Sequence, residues 1–256
     1  MDQPDGLSRM CLILFAYRLT PGQPLIVAAN RDEFYARPSA AAHWWEDAPG
    51  LLAGRDLQAG GTWLGVQANG RFAAVTNFTD PQQPPPPRSR GALVTDFLGG
   101  TQTCADYAAS IQGELYQGFN LLLWDGRSLA CTSNRGATKT LEPGCYALTN
   151  AELGTRWPKA VDGVARLRQA VQAGTDLDGL IALLRHDQLP QSSAAVAQAD
   201  IAESQTTPCF IRGDAYGTRA STAVIYAGDG GIALAEQSYG PRGAPGERRD
   251  FPIRAC

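Results

Sequence analysis

The stretch LIVAANRDEFYARP, residues 25–38, runs five apolar residues, Leu25 to Ala29, straight into Asn30, Arg31, Asp32 and Glu33. A short apolar run without alternation is what a strand covered on both faces requires. The earlier run CLILFAY, residues 11–17, has the same character, and the connection LTPGQP between them carries the Pro and Gly of a turn. The two runs are expected to form a buried β-hairpin, with Asn30 to Glu33 following its second strand at the end of the sheet. Cys11 opens the antiparallel partner, so the hairpin makes Cys11 and the polar cluster neighbours.

Outward from this hairpin, WLGVQ (63–67) and RFAAVTNF (71–78) flank Ala68-Asn69-Gly70 and predict a second one, because Asn-Gly supplies the positive φ of a tight turn. DPQQPPPPRSR (80–90) predicts an exposed proline-rich loop, either a connector or a flap over a site. Helical patterns follow at Gly91–Leu98 and Cys104–Ile111, then strands at Phe119–Trp124, Leu129–Thr132 and Cys145–Thr149. From Trp157 to Ala173 the residues Val161, Val164, Leu167 and Val171 recur at helical spacing, and Leu177–Leu184 continues the pattern after Gly174. Strands return at Ala220–Tyr226 and Ile232–Gln237, before a Gly, Pro and Arg-rich segment at 240–249. No repeat or linker divides the chain, which predicts an α+β fold with residues 11–256 as one domain and residues 1–10 as an extension or a start placed upstream of the true one.

Composition narrows the function. The 256 residues are 44% hydrophobic and 18% charged, with net charge -3, and no run of Lys or Arg forms the basic stripe that nucleic acid or an anionic membrane attracts. Every apolar stretch is far shorter than the roughly 20 residues of a membrane helix. The start MDQPDGLSR lacks the basic and apolar regions of a signal peptide, so a cytoplasmic protein acting on a small-molecule substrate or ligand is expected. Six cysteines occur without a C-x-x-C pair, which argues against a zinc site and for free thiols. No metal or required cofactor is expected. With only His43 and His186 present, a nucleophile needs a base other than histidine.

Met10-Cys11 supplies one. If Cys11 becomes the first residue, its α-amine, with an unperturbed pKa of roughly 7.7–8.0, can take the proton of its own thiol. On residue type alone, Cys11 reads rather as the first residue of a buried strand. Arg31 and Asp32 fit either a charged network capping the strand or groups that hold the amine, tune the thiol and orient an acidic substrate. Asn77, Asn150 and Arg219 sit at the ends of apolar segments, where an amide or guanidinium can donate to a developing oxyanion.

The segments MCLILF (10–15), NRDEFYARP (30–38), AGRDLQAGGTWLGV (53–66), GRFAAVTNF (70–78), RSRGALVTDFL (88–98), LTN (148–150) and YGTRASTAVI (216–225) together resemble the NRDE family, also called the transport and Golgi organisation 2 family. That family is similar to N-terminal nucleophile hydrolases, which implies a four-layer αββα sandwich of two mainly antiparallel sheets. The choloylglycine hydrolase and penicillin acylase branch is the nearest in layout. Carried over, the resemblance makes Cys11 the nucleophile, with Arg31 and Asp32 bracketing its thiol and amine. Asn77 becomes an oxyanion donor, Asn150 the group that holds the amine or substrate, and Arg219 a neighbour of the nucleophile. Asn30, Glu33 and Trp63 are expected on the substrate-binding side.

Two departures qualify that transfer: Arg31 and Asp32 are adjacent where the amidase branch separates them, and nine residues precede Met10. The implied activity is a cysteine amidohydrolase or acyltransferase acting on a C–N amide bond. The alternative is a non-catalytic carrier of haem or an acyl lipid using the same pocket, with His43 and His186 the haem-ligand candidates by residue type alone. A third reading makes the polar set a structural network at the sheet ends.

Overall fold

The computed structural model describes residues 11–78, 87–188 and 207–254. The opening hairpin forms as β1 (Leu12–Thr20) and β2 (Gln23–Phe34). Its register sets Leu12 opposite Asn30, Ile13 opposite Ala29 and Phe15 opposite Val27. The second strand does not stop at Ala29 as expected; it continues through Asn30, Arg31, Asp32 and Glu33 to Phe34. The reason lies on its other side, where β11 (Tyr216–Tyr226) pairs with it along this whole length, Ser221 opposite Asn30 and Thr218 opposite Asp32. β1 reaches only as far as Leu12 opposite Asn30, so beyond that point β11 alone supplies the ladder partners that keep Arg31 to Phe34 extended.

Two antiparallel sheets result. The first has the order β10 (Gly144–Leu148), β1, β2, β11, β12 (Ile232–Tyr239), β13 (Pro245–Ile253). The second runs in sequence order from β3 (Ser39–Trp44) and β4 (Leu51–Asp56) through β5 (Leu64–Gln67), β6 (Phe72–Asn77) and β7 (Phe119–Trp124) to β8 (Leu129–Ser133) and β9 (Gly136–Thr140). The hairpin of β5 and β6 appears as expected, with Gly70 at φ 93 in its turn.

The alternating faces of these strands explain the continuous apolar runs. Ile13, Phe15, Tyr17, Leu25 and Val27 point between the sheets and meet Leu52, Leu64, Val66, Phe72 and Leu122. Leu12, Leu14, Ala16, Ile26 and Ala28 point the other way, against Leu167 and Val171 of α3 (Pro158–Gln172) and Leu180, Ile181 and Leu184 of α4 (Leu177–Leu184). On the far side of the second sheet, α1 (Arg90–Gly99) and α2 (Cys104–Ser110) cover Ala73, Val75, Leu121 and Leu123 with Leu93, Val94, Phe97 and Tyr107. The layers therefore stack helices, sheet, sheet, helices, as the resemblance implies.

Four strands lie where no strand was expected: β3, β4, β9 and β13. Most of the proline-rich loop, residues 79–86, lies outside the described residues; its last part supplies Ser89, whose side chain caps α1 by accepting from the Gly91 amide. Among the described residues no helix is long and apolar enough to cross a membrane. Cys11, Cys104, Cys131, Cys145 and Cys209 are free thiols.

Candidate functional site

Cys11 sits immediately before β1, and the pairing of β1 with β10 places Asn150, two residues past Leu148, beside it. The backbone nitrogen of Cys11 donates to Asn150 Oδ1 at 2.7 Å, and its Sγ lies 4.0 Å from the Asp32 carbonyl oxygen. Asn150 is itself held by a tie between the sheets that sequence reading missed. The carbonyl of Thr149 accepts from Thr76 Oγ1 at 2.6 Å and from Asn120 Nδ2 at 3.3 Å, and Asn120 Nδ2 also reaches Ala151 O at 3.0 Å. These buried polar residues of β6 and β7 fix the end of β10 against the second sheet.

Because β2 continues as a strand, its alternation deals Asn30 to Glu33 to opposite faces. Asn30 and Asp32 face the helices. The Asn30 amide donates to Leu184 O at 3.0 Å and Cys209 O at 2.7 Å, and its oxygen accepts from Ser221 Oγ at 2.6 Å, so its side chain clamps the end of α4, while the residue also lines a very small void with Cys11, Arg31 and Trp63. Asp32 Oδ1 accepts from Thr218 Oγ1 at 2.6 Å, while Oδ2 is buried with no hydrogen-bond partner. Arg31 and Glu33 face the space between the sheets.

Arg31 lies over the ring of Trp63, its Cζ 4.0 Å from the ring centroid, and its Nη1 donates to Ser39 Oγ at 3.3 Å. The indole in turn rests on Gly54 of β4, where a Cβ would come within 2.2 Å of Trp63 Cη2. Only glycine admits the ring there. Gly54→Ala is expected to cost about 1–3 kcal/mol from forced repacking, measurable by urea unfolding; a variant as stable as the parent would show that the ring does not need that floor.

One residue of the site was not anticipated. Lys159, in the first turn of α3, is 1% exposed and its Nζ has no hydrogen-bond partner. Gly163, one turn on, lets α3 approach β1 so closely that a Cβ there would meet Leu14 Cδ2 at 2.8 Å. This close docking carries Lys159 in behind the strand ends, where its charge acts on Asp32 and Cys11. Lys159, Gly163, Leu167 and Val171 form the buried i, i+4 stripe of α3, so of the expected stripe Leu167 and Val171 are buried while Val161 and Val164 are only partly so.

The electrostatics follow from burial. Loss of water pushes the Asp32 carboxyl up to about 6, against the opposing pull of Lys159 and the Thr218 hydrogen bond. Burial lowers the Lys159 ammonium, with Asp32 acting to raise it. The Cys11 thiol is pushed up to about 11, first by burial and then by the Asp32 charge. Among the described residues, Asp32 Oδ2, Asn150 Nδ2 and Lys159 Nζ are all buried polar atoms without partners. Each leaves a desolvation cost unrecovered, and such groups gather where a ligand or reacting group supplies the missing bond.

Cys11, Arg31, Asp32, Glu33, Trp63 and Asn77 line one small cleft of about 100 Å³. Asn150 is not in its lining and joins it only through the Cys11 nitrogen. Arg219 is not in its lining, contrary to the expected place beside the nucleophile: β11 carries an irregularity between Thr218 and Ala220, and the Arg219 guanidinium donates to the carbonyls of Phe34 and Arg37. It braces the turn that follows Glu33. A larger cavity of about 670 Å³ at the opposite end of the sandwich, lined by Trp124, Tyr226 and several turn glycines, has among the described residues no thiol, carboxylate or cationic side chain in its lining. His43 stacks near Trp45 and His186 Nε2 meets Arg166, and neither histidine lines either cavity. Among the described residues no group of three or more His, Cys, Asp or Glu is placed to hold a metal ion.

Residues 10–241 match the family described as Transport and Golgi organisation 2. The chain belongs to that family. The Transport and Golgi organization protein 2 homologs of Bos taurus and Homo sapiens are each 36% identical to it over 256 residues, covering 90% of this chain and 93% of theirs. The Drosophila melanogaster Transport and Golgi organization protein 2 is 37% identical over 98 residues, 35% of each chain. Among solved structures, a mutant conjugated bile acid hydrolase from Clostridium perfringens covers 94% of this chain and 92% of its own, at 8% identity and a TM-score of 0.49.

Proposed function

We propose that this member of the Transport and Golgi organisation 2 family is an N-terminal cysteine amidohydrolase or acyltransferase, active once Cys11 is the first residue. What carries the reading is the seat of the Cys11 nitrogen: Asn150 Oδ1 takes one N–H at 2.7 Å, and the buried Asp32 carboxyl, whose charge acts at Cys11 and whose Oδ2 is unpartnered, favours an ammonium there. An ordinary peptide nitrogen has a single hydrogen to give, whereas a free amine has more.

In this reaction the thiol proton passes to the α-amine as Sγ attacks the amide carbonyl, forming the S–C bond. Asn77 donates to the oxygen that gains charge. The C–N bond then breaks, the leaving nitrogen takes the proton from the α-ammonium, and a thioester remains on Cys11. Water, or the amine of an acceptor, attacks the thioester and restores the thiol.

Intact-mass measurement of protein from its native host, combined with an electrophilic acyl probe, tests the reading. Chains starting at Cys11 and labelled there are expected. Active protein that keeps the peptide before Cys11 would sink it, and saturable ligand binding unaffected by Cys11→Ala would move the function to a carrier.

A further inference from the structure

The cations of the cleft are not equally engaged. Arg37 is committed to carboxylates, with Nη2 2.7 Å from Asp56 Oδ2 and Nε 3.8 Å from Glu33 Oε2. Glu33 also accepts from the Phe34 amide through Oε1 at 2.9 Å. Asp32 is taken by Thr218 on the helical face. Arg31 differs: it is 7% exposed, its one hydrogen bond goes to the neutral Ser39 hydroxyl, and among the described residues it forms no ion pair within 4.0 Å. A guanidinium buried in this way has lost most of its water, and the carboxylates of Glu33 and Asp56 act on it only from beyond ion-pair contact, so its N–H donors stay open to an anion that can touch them.

Its geometry is also fixed. Trp63 holds the guanidinium plane on one side and Gly54 holds Trp63, so the fork of N–H donors is presented in a set orientation. Such a fork matches the two oxygens of a carboxylate or phosphate. Arg31 shares the cleft with Cys11, and at about 100 Å³ that cleft is smaller than the roughly 300–1,000 Å³ of a drug-sized site and suited to a head group.

We propose that Arg31 is an anion subsite, and that the molecule presented to Cys11 carries a carboxylate or phosphate group close to the carbonyl under attack. The substrate part of this inference rests on the amide-cleaving reading; the binding part does not. Cleavage would thus act on the acidic end of an N-acylated amino acid or a comparable small anion, with the remainder of the molecule outside the cleft.

Thermal-shift and calorimetric titrations of the full chain with N-acetylglycine, its uncharged analogue N-acetylglycinamide, and inorganic phosphate test it at fixed ionic strength. Saturable binding of the acid or of phosphate, and none of the amide, is expected; whichever anion binds tighter names the group. Arg31→Gln should weaken binding by about tenfold or more, as loss of a charge-assisted pair does, and Arg31→Lys should fall between. Equal binding of acid and amide, or anion binding that survives Arg31→Gln, overturns the proposal. If Arg31→Gln fails to fold, the comparison of acid with amide on the unaltered chain decides. Anion binding without acylation of Cys11 upholds the subsite and rejects amide cleavage, whereas Cys11 acylated equally fast by neutral and acidic amides rejects the subsite and upholds cleavage.

Discussion

Cys11→Ala should reduce acyl transfer to background while leaving the unfolding transition almost where it was. Cys11 is half-buried as a residue, and among the described residues its thiol makes one long polar contact, 4.0 Å to the Asp32 carbonyl, so removing the sulfur strands no hydrogen-bond partner. Substitutions at such positions ordinarily change stability by about 0.5 kcal/mol or less. The chemical loss is of a different order, because no other thiol lines the cleft. The pH profile of the unaltered protein sharpens this. With the thiol pushed up to about 11, only about one molecule in a thousand holds a thiolate at pH 8 by the ordinary titration relation. A mechanism that waited for free thiolate would gain rate steadily toward pH 11. One in which the α-amine takes the proton should instead level off above roughly pH 8, the ordinary range of that amine. Rates that keep climbing past pH 9 would remove the amine as base, and turnover by the alanine variant would remove Cys11 as nucleophile.

How far the sequence could be read depends on what its patterns measure. The runs at 11–17 and 25–29 report burial on two faces, and the fold confirms that with helices on one side and the second sheet on the other. The same logic misplaced the end of β2, because charge in a strand reads as its termination when the covering strand is about 190 residues away in sequence. Thr218 and Ser221 of β11 are what make Asp32 and Asn30 tolerable in β2, and nothing local to residues 30–33 announces them. The strands β9 and β13 are edges with mostly exposed residues, so the alternation that marks a half-buried strand is weak in them.

Of the candidate residues, Cys11, Asp32, Asn77, Arg31, Glu33 and Trp63 do converge on one cleft, with Asn150 at Cys11. The side chains of Asn30 and Arg219 are held outside that cleft for a similar physical reason: the Asn30 amide is engaged by two backbone carbonyls and a hydroxyl, and Arg219 Nη1 by two carbonyls, which residue type alone does not reveal. Thr76 and Asn120 were unreadable for the opposite reason. They serve the site only through the carbonyl of Thr149, which the fold alone brings within reach.

Lys159→Met should destabilise the protein strongly at pH 8 and much less at pH 5. Asp32 has its carboxyl raised from 3.8 to about 6, chiefly by burial. The folded protein therefore binds a proton that the unfolded chain has released, and stability falls as pH rises from about 4 through about 6. Above that window the carboxylate is ionised and buried, and the Lys159 ammonium is the opposing charge that most restrains its rise. No ion-pair contact joins the two among the described residues, so the ammonium acts from a distance, and removing it leaves the buried carboxylate without its opposing charge at a cost of about 1–3 kcal/mol. Methionine keeps much of the side-chain volume, so the loss reports charge more than packing. At pH 5 Asp32 is mostly protonated, and the substitution removes an ammonium that is itself buried without a partner. Urea unfolding of both forms at the two pH values measures the difference, and equal losses at pH 5 and pH 8 would exclude the coupling. The double variant Asp32→Asn with Lys159→Met should then lose less at pH 8 than Lys159→Met alone, since the stranded carboxylate is gone. If Lys159 merely packed, the two substitutions would add, and the same pair of residues would leave the pH profile of Cys11 acylation unmoved.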